Sequence, residues 1–107
     1  LMSEKDPNNM NQHQPGAKLD KGKNRLGLVF GGFANALLRV GKVGTYGSLK
    51  YTDNGWREVP DAVERYTDAL LRHQIALLAG ETIDSDSGLR HVDMVAWNAL
   101  AIAELSD

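Results

Sequence analysis

Three side chains in the C-terminal half of this sequence could move a proton or recognise a ligand: His73, His91 and Asn98. Imidazole changes charge nearest to neutral pH, so it can take a proton from water or give one to a leaving group. His73 falls on the apolar face of a predicted helix, where a core histidine with one hydrogen bond is the ordinary alternative. His91 opens the next helix. Asn98 sits seven residues later, almost straight above it, and Met94 and Val95 flank that line. A buried amide needs partners, so Asn98 either bridges helices or touches a ligand.

Acidic side chains offer a second kind of chemistry. The run Asp84-Ser85-Asp86-Ser87-Gly88 superficially suggests a calcium loop. Such a loop needs a glutamate at its twelfth position, and counting from Asp84 that position is Val95. A turn that caps the following helix through Asp86 or Ser87 explains the run better, although Asp84 and Asp86 could still hold one magnesium ion. Asp61, Glu64 and Asp68 have the spacing of carboxylates on one helix face, as two-metal phosphoryl chemistry requires. Arg65 and Arg72 share that stripe, and a solvated, salt-bridged face is the plainer interpretation. No serine–histidine–acid order, Walker loop or HExxH motif occurs.

Charge and aromatic residues offer a third. Lys18, Lys21, Lys23 and Arg25 crowd a short glycine-containing segment opposed only by Asp20. Tyr46, Tyr51 and Trp56 surround an Asn-Gly turn. They could stack on a base or seal a small core.

The elements that must position these groups follow from periodicity. Phe30, Phe33, Leu37 and Val40 recur at helical spacing and predict a helix over about 26–50. Glycines at 31, 32, 41, 44 and 47 mean that this helix needs tertiary support or breaks near Gly41. The Gly41, Gly44, Gly47 spacing leaves bare backbone for another chain segment or a ligand to approach. Pro60 and Asp61 fit a helix start, and Gly80 fits its stop, predicting a helix over 60–79. Asp61, Arg65, Asp68 and Arg72 fall on one stripe, with Val63, Tyr66, Leu70, His73 and Leu77 opposite. Residues 81–88 read as a loop. A third helix, over about 89–105, is apolar almost all round through its middle, which predicts a central position or burial against another copy of the chain.

The chain has 107 residues, a net charge of −2 and no cysteine. Disulfides and thiolate metal sites are thereby excluded, and a reducing cytosol fits. The charge argues against general nucleic-acid binding. No apolar run approaches the roughly 20 residues of a membrane span, and no signal peptide is visible. Residues 1–15 are polar and Asn/Gln-rich and read as a disordered tail, with Leu1 ahead of Met2 resembling an added residue. Residues 16–107 read as one all-α domain with a flexible basic arm.

Several segments together resemble a known family. They are Gly16 to Arg25, Gly41 to Tyr51 with Trp56 after it, Arg65 to His73, Gly80 to His91, and Ala96-Trp97-Asn98-Ala99-Leu100. In this order they resemble the phage dATP/dGTP diphosphohydrolase N-terminal domain family, relatives of the all-α, magnesium-using MazG-like pyrophosphohydrolases. The resemblance implies a nucleotide partner, cytoplasm of an infected bacterial host, and release of pyrophosphate from a purine deoxynucleoside triphosphate. On that reading Lys18, Lys23 and Arg25 hold phosphates, and Tyr46, Lys50, Tyr51, Trp56, Arg72 and Asn98 contribute to nucleotide binding. Asp84, with Glu81 or Asp86, holds magnesium, and His73 or His91 positions or activates water. MazG-like enzymes carry Glu-x-x-Glu on one helix and Glu-x-x-Asp on another, whereas the third helix here carries His91-x-x-Met94. The resembling family often has a second histidine where this chain has Met94. Both departures count against metal-dependent hydrolysis and leave nucleotide binding intact. The alternative is a non-catalytic, oligomeric protein that sequesters a nucleotide signal of host defence. A helical structural or regulatory protein without a ligand is the third possibility.

Overall fold

The computed structural model describes residues 3–107; Leu1 and Met2 lie outside the described residues. The chain forms two compact units, Leu1–Gly32 and Phe33–Asp107. All regular structure among the described residues is helical, apart from one isolated antiparallel bridge between Ile83 and Arg90. No single helix among them is long and apolar enough to cross a membrane.

In the first unit, turns precede a short helix α1, Leu26–Gly32. Asp6 organises the turns. Its carboxylate accepts the backbone N–H of Lys18 at 2.8 Å, of Asn8 at 2.7 Å and of Met10 at 3.4 Å. Three amide donors favour the ionised form, and the Lys18 amide contributes most to holding the Asp6 carboxyl below its ordinary range. The helix expected over 26–50 is interrupted at Phe33, not near Gly41. Gly31 and Gly32 explain the place: two adjacent residues without side chains add no packing and weaken helix continuation.

The second unit is built from α2 (Ala34–Lys50), a 3-10 turn (Gly55–Glu58), α3 (Ala62–Leu78) and α4 (His91–Leu105). Helix α4 packs on both α2 and α3. Its inner stripe is His91, Met94, Asn98 and Ala101, all buried at helical spacing. That stripe contains two polar residues, and Leu100 on another side is 53% exposed. The near-uniform hydrophobicity of α4 therefore does not translate into burial on every side within this chain.

Trp97 anchors the packing of this unit. It meets Trp56 edge-on at 5.6 Å and Tyr66 at 5.5 Å, contacts each worth about 0.5–1.5 kcal/mol beyond burial. The Tyr66 hydroxyl donates to the Trp56 carbonyl at 2.9 Å. At Gly44 an added Cβ would lie 3.4 Å from Trp97 Nε1, so the bare backbone of α2 is where α4 comes close. Asp93, buried beside it in the first turn of α4, accepts from Arg39 Nε of α2 at 3.1 Å. Isolating that carboxylate would cost several kcal/mol, so the pair fixes α2 against α4.

The ends of α3 and α4 refine the sequence reading. Helix α3 starts at Ala62, after Asp61 in a left-handed conformation (φ 55°), so Pro60 lies before the helix and not in its first turn. At its C-terminus Gly80 takes φ 95°. The Gly80 N–H bonds the Leu77 carbonyl and the Glu81 N–H bonds the Ala76 carbonyl, a Schellman pattern. Neither Asp86 nor Ser87 caps α4. The position before that helix is Arg90, which makes no side-chain cap.

Candidate functional site

Helix α3 presents His73 and the first residue of α4 is His91, and packing of the two helices brings the rings together. Their Nδ1 atoms lie 2.9 Å apart, with ring centroids at 5.1 Å. One ring must donate and the other accept, so the pair shares a single proton between the two nitrogens when neutral. His91 is buried (4% exposed) and His73 half-buried. Burial, and then the neighbouring His91, push the His73 imidazole below its ordinary range, which favours the neutral, proton-accepting form.

The segment between the helices folds back on itself to set His91. The Asp84 N–H bonds the Leu89 carbonyl at 2.8 Å, and the His91 N–H bonds the Thr82 carbonyl at 3.0 Å. Inside this turn Asp84 Oδ2 accepts from the Ser87 hydroxyl at 2.6 Å and from the Ser87 N–H at 3.1 Å. Ser87 in turn accepts the Leu89 N–H at 3.1 Å. Burial opposes charge on Asp84. The Ser87 bonds and the two histidines outweigh it and hold the carboxyl below its ordinary range. Glu81 Oε2 approaches His91 Nε2 at 3.4 Å, yet that nitrogen is sealed from solvent without a hydrogen bond of good geometry.

The remaining candidate residues divide into groups. Asn98 donates from Nδ2 to the Met94 carbonyl of its own helix at 2.8 Å, so that donor does not bridge helices. Lys50 lies 5.3 Å from the Tyr51 ring centre. Its ammonium is held above its ordinary range, chiefly through Tyr51 and more weakly by Tyr46 and Asp86. Tyr46 also lines an open, mostly apolar groove of about 550 Å³ with Leu38, Gly41, Lys42, Thr45, Leu49 and Leu89. Trp56 is tied to Trp97 and Tyr66, the core role of its two alternatives. Arg72 is exposed beside His73. Lys18, Lys23 and Arg25 belong to the first unit, where Lys23 pairs with Glu4 at 3.3 Å.

Two acidic sets were read from the sequence. Asp61, Glu64 and Asp68 are exposed, and Arg65 bonds the Pro60 carbonyl, with no i,i+4 ion pair along α3 among the described residues. Glu81, Asp84 and Asp86 do not converge as a ligand set: among the described residues no group of three or more His, Asp or Glu side chains is placed to hold a metal ion. Ser87, Arg39 and Asp93 were missed as functional or positioning residues. Ser87 was legible only as a cap, and nothing in sequence spacing links Arg39 to Asp93, 54 positions apart.

A sequence profile described as dATP/dGTP diphosphohydrolase, N-terminal, matches residues 13–107. The chain belongs to this family. The match spans both histidines, the folded-back turn, and the Lys18–Arg25 segment. Comparison with curated proteins and with solved structures found no match. In this member of the family, two histidines from separate helices meet at a hydrogen-bonding distance.

Proposed function

We propose that the chain handles a purine deoxynucleoside triphosphate and splits dATP or dGTP into the monophosphate and pyrophosphate, in the cytoplasm of a phage-infected bacterium. The observation that carries this reading is the His73–His91 pair, Nδ1 to Nδ1 at 2.9 Å. A half-buried imidazole held neutral is suited to take a proton from water. Water oxygen then bonds to the α-phosphorus as the bond from that phosphorus to the bridging oxygen breaks. Pyrophosphate leaves with the electron pair, and the proton rests on the imidazole. The family name supports the substrate class. Within the second unit, Arg72 and Lys50 supply charge for phosphate, and Tyr46 with Tyr51 offers an aromatic surface beside an apolar groove for the base. The substrate is the magnesium complex of the triphosphate, and this chain contributes proton transfer and charge.

A second reading, a non-catalytic protein that sequesters a nucleotide signal, is favoured by one observation: no three metal-ligating side chains converge among the described residues. Incubation with dATP, dGTP and magnesium, followed by mass spectrometry, separates the two. Deoxynucleoside monophosphate and pyrophosphate are the expected products. His73→Ala is expected to slow their formation by roughly a hundredfold while leaving the helical circular-dichroism signal in place. Stoichiometric retention of nucleotide without turnover supports the second reading, and neither retention nor turnover overturns both.

A further inference from the structure

The direction of the hydrogen bond between the two histidines decides which nitrogen of the pair is basic, and the surroundings of His91 decide that direction. Its Nε2 is sealed from solvent and has no partner of good geometry. The nearest acidic group is Glu81 Oε2, at 3.4 Å. If His91 carried its proton on Nδ1, the Nε2 lone pair would lie buried against a carboxylate, two acceptors with no proton between them. With the proton on Nε2, the N–H meets the carboxylate, and a small turn of the half-exposed Glu81 side chain completes a charge-assisted bond. Nδ1 of His91 then bears the lone pair, and the 2.9 Å contact requires that His73 donate from its own Nδ1.

We propose that Glu81 is a positioning residue: through His91 it orders the pair so that Nε2 of His73 is left unprotonated as the basic nitrogen. Nε2 of His73 makes no hydrogen bond among the described residues and is not among the nitrogens sealed from solvent, so it remains accessible to water or ligand. The backbone supports the arrangement, because the Schellman end of α3 fixes the Glu81 N–H on the Ala76 carbonyl and so sets where this carboxylate starts. Asp84 and Arg72 also lie near His73 and act on it in opposite senses, Asp84 favouring its protonation and Arg72 opposing it. Neither touches Nε2 of His91, so neither replaces Glu81 in choosing the tautomer.

The inference rests on the proposed hydrolysis only for the use made of Nε2 of His73; the tautomers themselves are testable without turnover. Long-range proton–nitrogen correlation spectra of the intact chain, labelled with ¹⁵N-histidine, report which ring nitrogen carries hydrogen. His13 is assigned by comparison with His13→Asn. At about pH 8, where unperturbed imidazole is neutral, His91 is expected in the Nε2–H form and His73 in the Nδ1–H form. Glu81→Ala is expected to convert His91 to a mixture of tautomers, and Glu81→Gln, which keeps an acceptor oxygen, to restore the parent pattern. If the chain turns over dNTP, Glu81→Ala is expected to lower kcat roughly tenfold with KM little changed. A parent spectrum with His91 in the Nδ1–H form overturns the proposal, and so does a Glu81→Ala spectrum identical to the parent. The expected tautomers without any turnover would instead remove the hydrolytic reading and leave the role of Glu81 standing.

Discussion

His73 and Asp84 show how one small cluster ties proton chemistry to stability. The His73 imidazole lies below its ordinary value of 6.5, first through burial and then through His91. The folded chain therefore binds this proton less readily than the unfolded chain. Stability from this group is complete above about pH 6.5 and is lost as the pH falls through that value toward the lowered native one. Asp84 is lowered from an ordinary 3.8, because Ser87 and the histidines outweigh its burial. Its contribution is present above that value and is lost on further acidification, through the native pKa. Urea titrations from pH 8 to pH 3 are expected to show two successive losses of stability. His73→Gln is expected to remove the upper one and Ser87→Ala to diminish the lower one. A single loss confined below pH 4 in the parent chain would contradict the placement of His73.

At the scale of elements, the turn that ends α3 controls both a helix and the site. Gly80 sits at φ 95°, where a side chain is strained, and it lets the Glu81 amide close on Ala76. Gly80→Ala is expected to cost about 1 kcal/mol or more in chemical unfolding, because alanine disfavours positive φ. The same substitution should disturb Glu81 more than residues at the start of α3, and amide chemical shifts would show this as changes concentrated around residues 76–84. A stability unchanged within error would mean that the turn tolerates another conformation. Helical periodicity had already marked this end, and Gly80 was readable as a stop from its place after the last apolar position. The folded-back turn was not readable in the same way. The run from Asp84 to Gly88 looked like a cap or a cation loop and Leu89 like the start of the next helix, because the bonds that join Asp84, Ser87 and Leu89 depend on the chain reversing between α3 and α4.

At the scale of the whole molecule, few of the described apolar residues are buried. Among the described residues Val43, Met94 and Ala101 are the buried hydrophobic ones, while Leu71, Ile75 and Leu78 on α3 and Leu100 on α4 are half or more exposed. Leu71, Ile75 and Leu78 recur at helical spacing, so they form a stripe rather than scattered exposure. Self-association through such faces is expected, and light scattering at micromolar concentration should give a mass above the 11.7 kDa of one chain. Ile75→Glu should return that mass toward the monomer value without loss of helix; a monomeric parent would contradict the expectation. The sequence by itself determined the all-helical class, α3 and α4 to within a few residues, the side of α3 that carries Tyr66, Leu70, His73 and Leu77 (though not Val63, which is exposed), and the family, since periodicity, glycine stops and local motifs are properties of neighbouring residues. It placed His73 and His91 on separate helices and left His73 with a core role as its ordinary alternative. Only the packing of α3 against α4 made them a hydrogen-bonded pair, joined Arg39 to Asp93 and turned Trp56 inward to Trp97. Contacts between residues far apart in the chain depend on crossing geometry and side-chain fit, and no local pattern encodes either.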